Sequence, residues 1–353
     1  MIDLEKLKES LAAEPCDEGT RQFLKERETY IVKDDVDYPD PQYLLRLHGV
    51  PTVPRGNLVA INAKWKNGKT FLCDLLSAIF LGSDKFPDMD NNHQQGKVLF
   101  FDTEQDISDT ARIRNVIYSL IPEERQKDIE IYCLRGSEIN SEDGRLGRYD
   151  FIAQAIEHSQ PALVIIDGIG DLIYNYNDPI ESQLMVNNLA ALASKHDCAI
   201  LAVMHQNKSK DNTSMKGHLG TMLYQKASDV FSVTKVSSLF VCSHTVSRHC
   251  NASDFYFVIE DGVPAMPSEE QTPLVQGIID GMGNGRSKKT KDRFDEDDVH
   301  EIFGDCESLG SKEIITKIQD LLDCAYCTAY KFLNNTMEDG LIAKVGKVYV
   351  ASV

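Results

Sequence analysis

The sequence predicts an α/β protein: a mostly parallel sheet with helices on both faces, followed by a small separate domain. Three observations carry this. Apolar runs without polar alternation recur along the first 280 residues, as NLVAIN, KVLFFDTE, IEIYCLRG, ALVIID and CAILAVMH. Helical stretches of 10 to 18 residues separate most of them, among them KTFLCDLLSAIFLG and IESQLMVNNLAALASKHD. A strand that reads as continuously apolar is buried on both faces, which is the position of a parallel strand between two helical layers. The chain of 353 residues is 42% hydrophobic, ample for a core of this kind.

The elements follow in order. Residues 1–45 carry a helical pattern and many charges, and read as an arm. A stretch marked by Pro39, Pro41, Pro51 and Pro54 leads into the first strand, and residues 46–280 form the main domain. After Ser228 the runs DVFSVTK, SLFVCSHTV and DFYFVIEDG lack crossover helices between them, so they extend the same sheet with antiparallel strands. The segment 281–294, GMGNGRSKKTKDRF, has the glycine and charge content of a linker, with Arg286, Lys288, Lys289, Lys291 and Arg293 against Asp292. Residues 295–353 read as three helices and a two-stranded hairpin.

Charge and hydropathy exclude several classes. With 37 Lys and Arg against 55 Asp and Glu the net charge is −18, so any contact with a polyanion must be local. No apolar run reaches the ~18 residues a membrane span needs. The amino terminus is charged where a secretory signal needs an apolar stretch, which gives a cytoplasmic expectation. The nine cysteines are odd in number and scattered, and read as thiols.

One motif carries chemistry by itself. Ala63-Lys64-Trp65-Lys66-Asn67-Gly68-Lys69-Thr70 has the spacing of a phosphate-binding loop, lying directly after a strand and before a helix. Loop and helix N–H groups must point at the phosphates, Lys69 reaches the β and γ oxygens of ATP, and Thr70 gives a hydroxyl to Mg²⁺. Ala63 replaces the usual first glycine, and Trp65, the one tryptophan, stands where small residues are usual. The strand ALVIID ends in Asp167, a carboxylate suited to the metal's water shell. Glu104 closes the strand after the loop's helix, on the edge where α/β sheets bind ligands, and is placed to polarise an attacking water.

These residues, with VMHQNK and the late strand pair around SHTVSRH, resemble the RecA-like ATPases over roughly residues 44–261. The likeness is closer to the branch of plasmid RepA-type hexameric helicases with their DnaB and RadA relatives. The resemblance implies that Glu104 is the catalytic glutamate and that a polar residue in VMHQNK, His205 or the better aligned Gln206, senses the γ-phosphate. It implies a DNA loop beyond it, with Lys208, Lys210 and Lys216 facing phosphates, and a cation, Arg248, inserted into a neighbouring subunit's site. Lys64 falls where ParA- and MinD-like ATPases carry a signature lysine, but their glycine pair is replaced here by Trp65 and Lys66.

The last domain resembles a winged helix. In CAYCTAYKFLNNTMEDGLIAKVGKVYV one helical face carries Tyr326, Tyr330, Leu333 and Met337, while the opposite face offers Thr328, Lys331, Asn334 and Asn335 to DNA. From Ser311 onward lysines and acids cancel, which suits protein docking as well as DNA.

Together these readings lead to an expectation of a Mg²⁺-dependent ATPase acting on single-stranded or forked DNA as a ring or filament of identical subunits, in replication or mobilisation of a plasmid or mobile element. Two alternatives stay open. One is a nucleotide-switched DNA-binding regulator or partition ATPase, and the other a small-molecule P-loop kinase.

Overall fold

The computed structural model describes residues 18–34, 36–38, 40–141, 145–207, 214–268, 271–272, 275–277, 294, 296–304, 306–322 and 326–352. Two units are distinguished by packing, residues 1–41 and 42–353. The first contains helix α1 (Glu18–Tyr30), in which no residue is buried.

The second unit begins with strands β1 (Tyr43–Leu47) and β2 (Val50–Pro54), then β3 (Leu58–Ala63) and α2 (Lys69–Phe80). There follow β4 (Met89–Asp90), β5 (Val98–Asp102), α3 (Ile107–Leu120), β6 (Ile129–Cys133), α4 (Arg148–Ser159) and β7 (Leu163–Asp167). Next come α5 (Pro179–Lys195), β8 (Ala199–His205), α6 (Gly217–Lys226), β9 (Asp229–Val236), β10 (Leu239–Ser247), β11 (Phe255–Glu260) and β12 (Val263–Ala265). Nine strands form one sheet in the order β12-β11-β10-β9-β3-β8-β7-β5-β6. Strands β9, β3, β8, β7, β5 and β6 are parallel, and β10, β11 and β12 add antiparallel. The predicted α/β class holds, with one refinement: β9 joins in parallel because α6 precedes it as a crossover.

Each central strand divides its residues between two cores. Val98 and Phe100 of β5 face the layer of α2 and α3, while Leu99 and Phe101 face α4, α5 and α6. Leu163 and Ile165 of β7 alternate with Val164 and Ile166 in the same way. Both faces are dry, which is why these strands show no polar alternation. Phe101 stacks on Tyr132 with centroids 5.0 Å apart and meets Phe151 edge-on at 6.5 Å.

A second sheet, β2-β1-β4, lies over α2 and was not expected from the sequence. Its proline-containing strand β2 occupies an edge, where a missing N–H costs no ladder bond.

The C-terminal part comprises α7 (Glu296–Phe303), β13 (Leu309–Gly310), α8 (Ser311–Leu322), α9 (Tyr326–Glu338), β14 (Ile342–Val345) and β15 (Val348–Ala351), with strand order β13-β15-β14. It has its own core, including Phe294, Val299, Ile314, Ile318, Phe332 and Leu333. The buried stripe of α9 is Ala329, Phe332, Leu333 and Thr336. Tyr326, expected on that stripe, is exposed, and Tyr330 packs against both this core and the core over α2. Residues 281–293 of the expected linker lie outside the described residues, as does Thr328 in its side chain. Among the described residues no helix is long and apolar enough to cross a membrane.

Candidate nucleotide site

The phosphate loop leaves the sheet at Ala63 and enters α2 through Gly68, whose φ of 82° lies in the left-handed region. Only glycine fits there, because a Cβ would stand 2.6 Å from ring carbons of Phe240. Lys66 also has positive φ, 61°, so the loop wraps back on itself before the helix. No side chain caps the first turn of α2, which leaves its N–H donors and the positive end of its dipole directed at the loop.

Side chains from three strand ends converge on this loop. Thr70 Oγ1 donates to Asp167 Oδ2 at 2.7 Å, joining α2 to the end of β7. Lys69 Nζ donates to His205 Nδ1 at 3.0 Å, and His205 Nε2 lies 3.0 Å from Glu104 Oε1. An ammonium has only donors, so Nδ1 accepts, and the ring is the Nε2–H tautomer that donates to Glu104. Asp102 fixes the turn that carries Glu104: its Oδ1 accepts from the N–H groups of Glu104 and Gln105, each at 3.0 Å, and its Oδ2 accepts from Thr110 Oγ1 at 2.7 Å.

Electrostatics follow from these contacts. The His205 hydrogen bond holds the Glu104 carboxyl below its ordinary range, so it is ionised near neutrality. Burial pushes Asp167 up to about 6, against the opposing Thr70 bond. Burial also lowers Lys69, with Asp167 and Glu104 pulling the other way.

These residues line a cavity of about 870 Å³, whose apolar wall includes Phe71, Ile113, Val116 and Ile259. Lys235, from the end of β9, lines the same cavity and was not singled out in the sequence. Asp74, also on its wall, is 1% exposed and one of its carboxylate oxygens has no hydrogen-bond partner. In the sequence its only signal is an acid four residues after Thr70 in a helix that beyond Thr70 is otherwise apolar except for Ser77. The donor set suits the expected cofactors. Thr70 and Asp167 are hard oxygen ligands of the kind Mg²⁺ takes through one or two carboxylates, and the uncapped helix turn with Lys69 suits a polyphosphate.

Other expected residues are placed elsewhere. Gln206 is buried beside Ala63, its Nε2 donating to Asn62 Oδ1 at 3.0 Å and Ser232 Oγ at 3.2 Å. The side chain between Lys69 and Glu104 is His205. Gln206 pairs with Met215, closing the base of the segment that follows, and Lys216 N donates to His205 O at 2.8 Å. Lys208 and Lys210 lie outside the described residues. Arg248 is exposed at the end of the sheet opposite its own phosphate loop, since β10 runs back from Leu239, beside Val236, to Ser247, beside Asp229. Its Nη2 donates to Lys226 O at 3.1 Å.

The face of α9 read as available to DNA instead meets the β1–β2 turn. Asn334 Nδ2 donates to Gly49 O at 3.2 Å, and Glu338 pairs with Arg46 Nη1 at 2.9 Å. Lys331 and Asn335 line the polar cavity between them.

A phosphate loop between a central parallel strand and its helix, faced by strand-end carboxylates, defines a P-loop nucleotide-binding protein. The chain belongs to the AAA domain family, whose model matches residues 25–211. Among solved structures it is similar to the RadB recombinase, at 16% identity over 62% of this chain and 94% of that one, with a TM-score of 0.43. It is also similar to a second solved structure, an ATPase domain, at 14% identity over 61% and 86% of the two chains, with a TM-score of 0.43. No curated protein matches the sequence.

Proposed function

We propose that the chain is a Mg²⁺-dependent ATPase that works on single-stranded or forked DNA in a ring or filament of identical subunits, with residues 295–353 as a winged helix. The carrying observation is the line Lys69–His205–Glu104, which ties the phosphate loop through the end of β8 to an ionised carboxylate just past the end of β5. Lys69 and the first turn of α2 hold the phosphates. Thr70 and Asp167 hold the metal, which when bound neutralises charge on the transferring phosphoryl group. Glu104 orients water and accepts its proton. His205 keeps Glu104 ionised and positioned, and its peptide carbonyl is bonded to Lys216, so a shift of the ring at the phosphate end is felt at the base of the following segment.

Helicase work, and a part in replication or mobilisation of a plasmid or mobile element, belong to the same proposal. They draw their support from the motif resemblance carried by the phosphate loop, Glu104, Asp167 and the strand end at His205.

Glu104→Gln tests the assignment. It should lower kcat by roughly 10²–10⁴ while leaving nucleotide affinity within a few-fold, because the cradle is untouched. Equal loss of binding would make Glu104 structural. Running the wild-type assay with and without single-stranded DNA separates motor from switch. Stimulated turnover supports the motor, and slow turnover indifferent to DNA supports a nucleotide-switched regulator.

A further inference from the structure

Trp65 stands in the phosphate loop and is 72% exposed, with no core around it. Its surroundings are cationic. Lys66 Nζ lies 4.3 Å from the ring centroid. A second cavity of about 590 Å³ is lined, among the described residues, by Lys64, Trp65, His205, Gln206, Asn207 and Lys216, none of them a carboxylate. Lys216 Nζ in turn sits 4.5 Å over the ring of Tyr176. In a chain of net charge −18 this cavity is a local reversal of sign beside an exposed indole, whereas the acids Glu104, Asp109 and Asp167 lie on the nucleotide cavity that Trp65 also borders.

Three occupants would cover such a ring: the base of the bound nucleotide, a second copy of the chain, or a base of single-stranded nucleic acid. Trp65 and Lys66 also border the nucleotide cavity, but its apolar wall at Phe71, Ile113, Val116 and Ile259 gives the nucleotide's base a place of its own and leaves the indole free for a second ligand. A second copy pressed on the indole would have to desolvate the surrounding lysines as well. A single strand satisfies both features at once, because every base has a face to stack and every linkage carries a phosphate.

We infer that Trp65 is a stacking platform for a base of single-stranded nucleic acid, with Lys64, Lys66 and Lys216 on the adjoining phosphates. This rests on the DNA reading above and deepens it. The strand would lie against the loop that holds the nucleotide, and Trp65 and His205, which line both cavities, would stand between the two ligands.

The single tryptophan makes the test direct. The full chain, without nucleotide, is titrated with a fluorescently labelled oligodeoxythymidylate of about 16 nucleotides, within the span of known single-strand sites. Anisotropy of the label reports binding, and indole emission from a parallel unlabelled titration reports stacking. Emission should be quenched along the same isotherm as anisotropy. An abasic strand of equal charge should bind without quenching. Trp65→Ala should weaken binding about tenfold, within the range measured for base–aromatic stacking, and Trp65→Phe should recover most of it. Anisotropy that rises with unchanged emission, and with unchanged affinity in Trp65→Ala, overturns the platform and leaves the DNA reading standing. No anisotropy change at any concentration overturns both. Emission that follows protein concentration alone, with a matching rise in mass by light scattering, assigns the ring to a second copy and also overturns the inference.

Discussion

Asp74 is a carboxyl sealed inside the protein beside two others, Asp167 and Asp102. Burial first, then those two charges, push it well above the usual carboxylate range. The folded state therefore binds its proton more tightly than the unfolded chain, whose value is about 3.9. Stability linked to this group is present at low pH and is lost as pH rises from about 4 through the raised folded value. Asp74→Asn removes that loss, so the difference in Tm between variant and wild type should grow between pH 4 and pH 8. It should reach a few degrees, on the order of 1 kcal/mol in a domain of this size. A difference that is flat with pH would mean that Asp74 is not the sealed acid described. At this scale the sequence was legible where chemistry sits at a helix start or a strand end: Lys69, Thr70, Asp167 and Glu104 all border one cavity. It was not legible for His205 against Gln206. Neighbouring residues of a strand point to opposite faces, and spacing alone does not say which face holds the phosphate.

Among elements, β10 packs closely on the phosphate loop. Phe240 is buried, stacks on Phe257 with centroids 5.0 Å apart, and leaves no room for a Cβ at Gly68. Gly68→Ala should lose nucleotide binding and destabilise the fold. In a Phe240→Ala background the same change should cost less, leaving roughly the 1 kcal/mol that positive φ imposes on any side chain. Equal costs in the two backgrounds, measured by denaturant titration, would show that Phe240 does not constrain the loop. The main strands were legible because both their faces are dry and their residues are apolar without interruption. The β2-β1-β4 sheet was hidden by Pro51 and Pro54, which read as breakers until β2 is seen to be an edge strand.

For the whole molecule, the position of Arg248 bears on assembly. It stands at the end of the sheet opposite its own phosphate loop, so the role in ATP hydrolysis that the motif resemblance implies for it would require its guanidinium to enter another subunit's site. Arg248→Ala and Lys69→Ala should each be nearly inactive alone. Mixed subunits should regain part of the ATPase rate, because some interfaces then pair an intact loop with an intact cation. Losing such a cation costs on the order of a thousandfold, which makes partial recovery visible. Co-assembly without recovery would end the shared-site mechanism. The order of elements in the C-terminal part was legible from its amphipathic helices, but its seat was not, since no local pattern announces a contact between Gly49 and Asn334. That seat sets a threshold. Any ligand for the Lys331–Asn335 face must compete with Gly49 and Arg46, and its apparent affinity is its intrinsic affinity multiplied by the fraction of time the helix is free. Loosening the latch should therefore tighten outside binding. Arg46→Ala, which removes the ion pairs to Glu338 and to Asp90 of β4 but leaves the helix face itself, should raise duplex-DNA affinity while speeding proteolysis between the two parts. A variant that is cut faster but binds no better would show the latch to be purely structural, and the same face would then serve as a fixed mount for the C-terminal part.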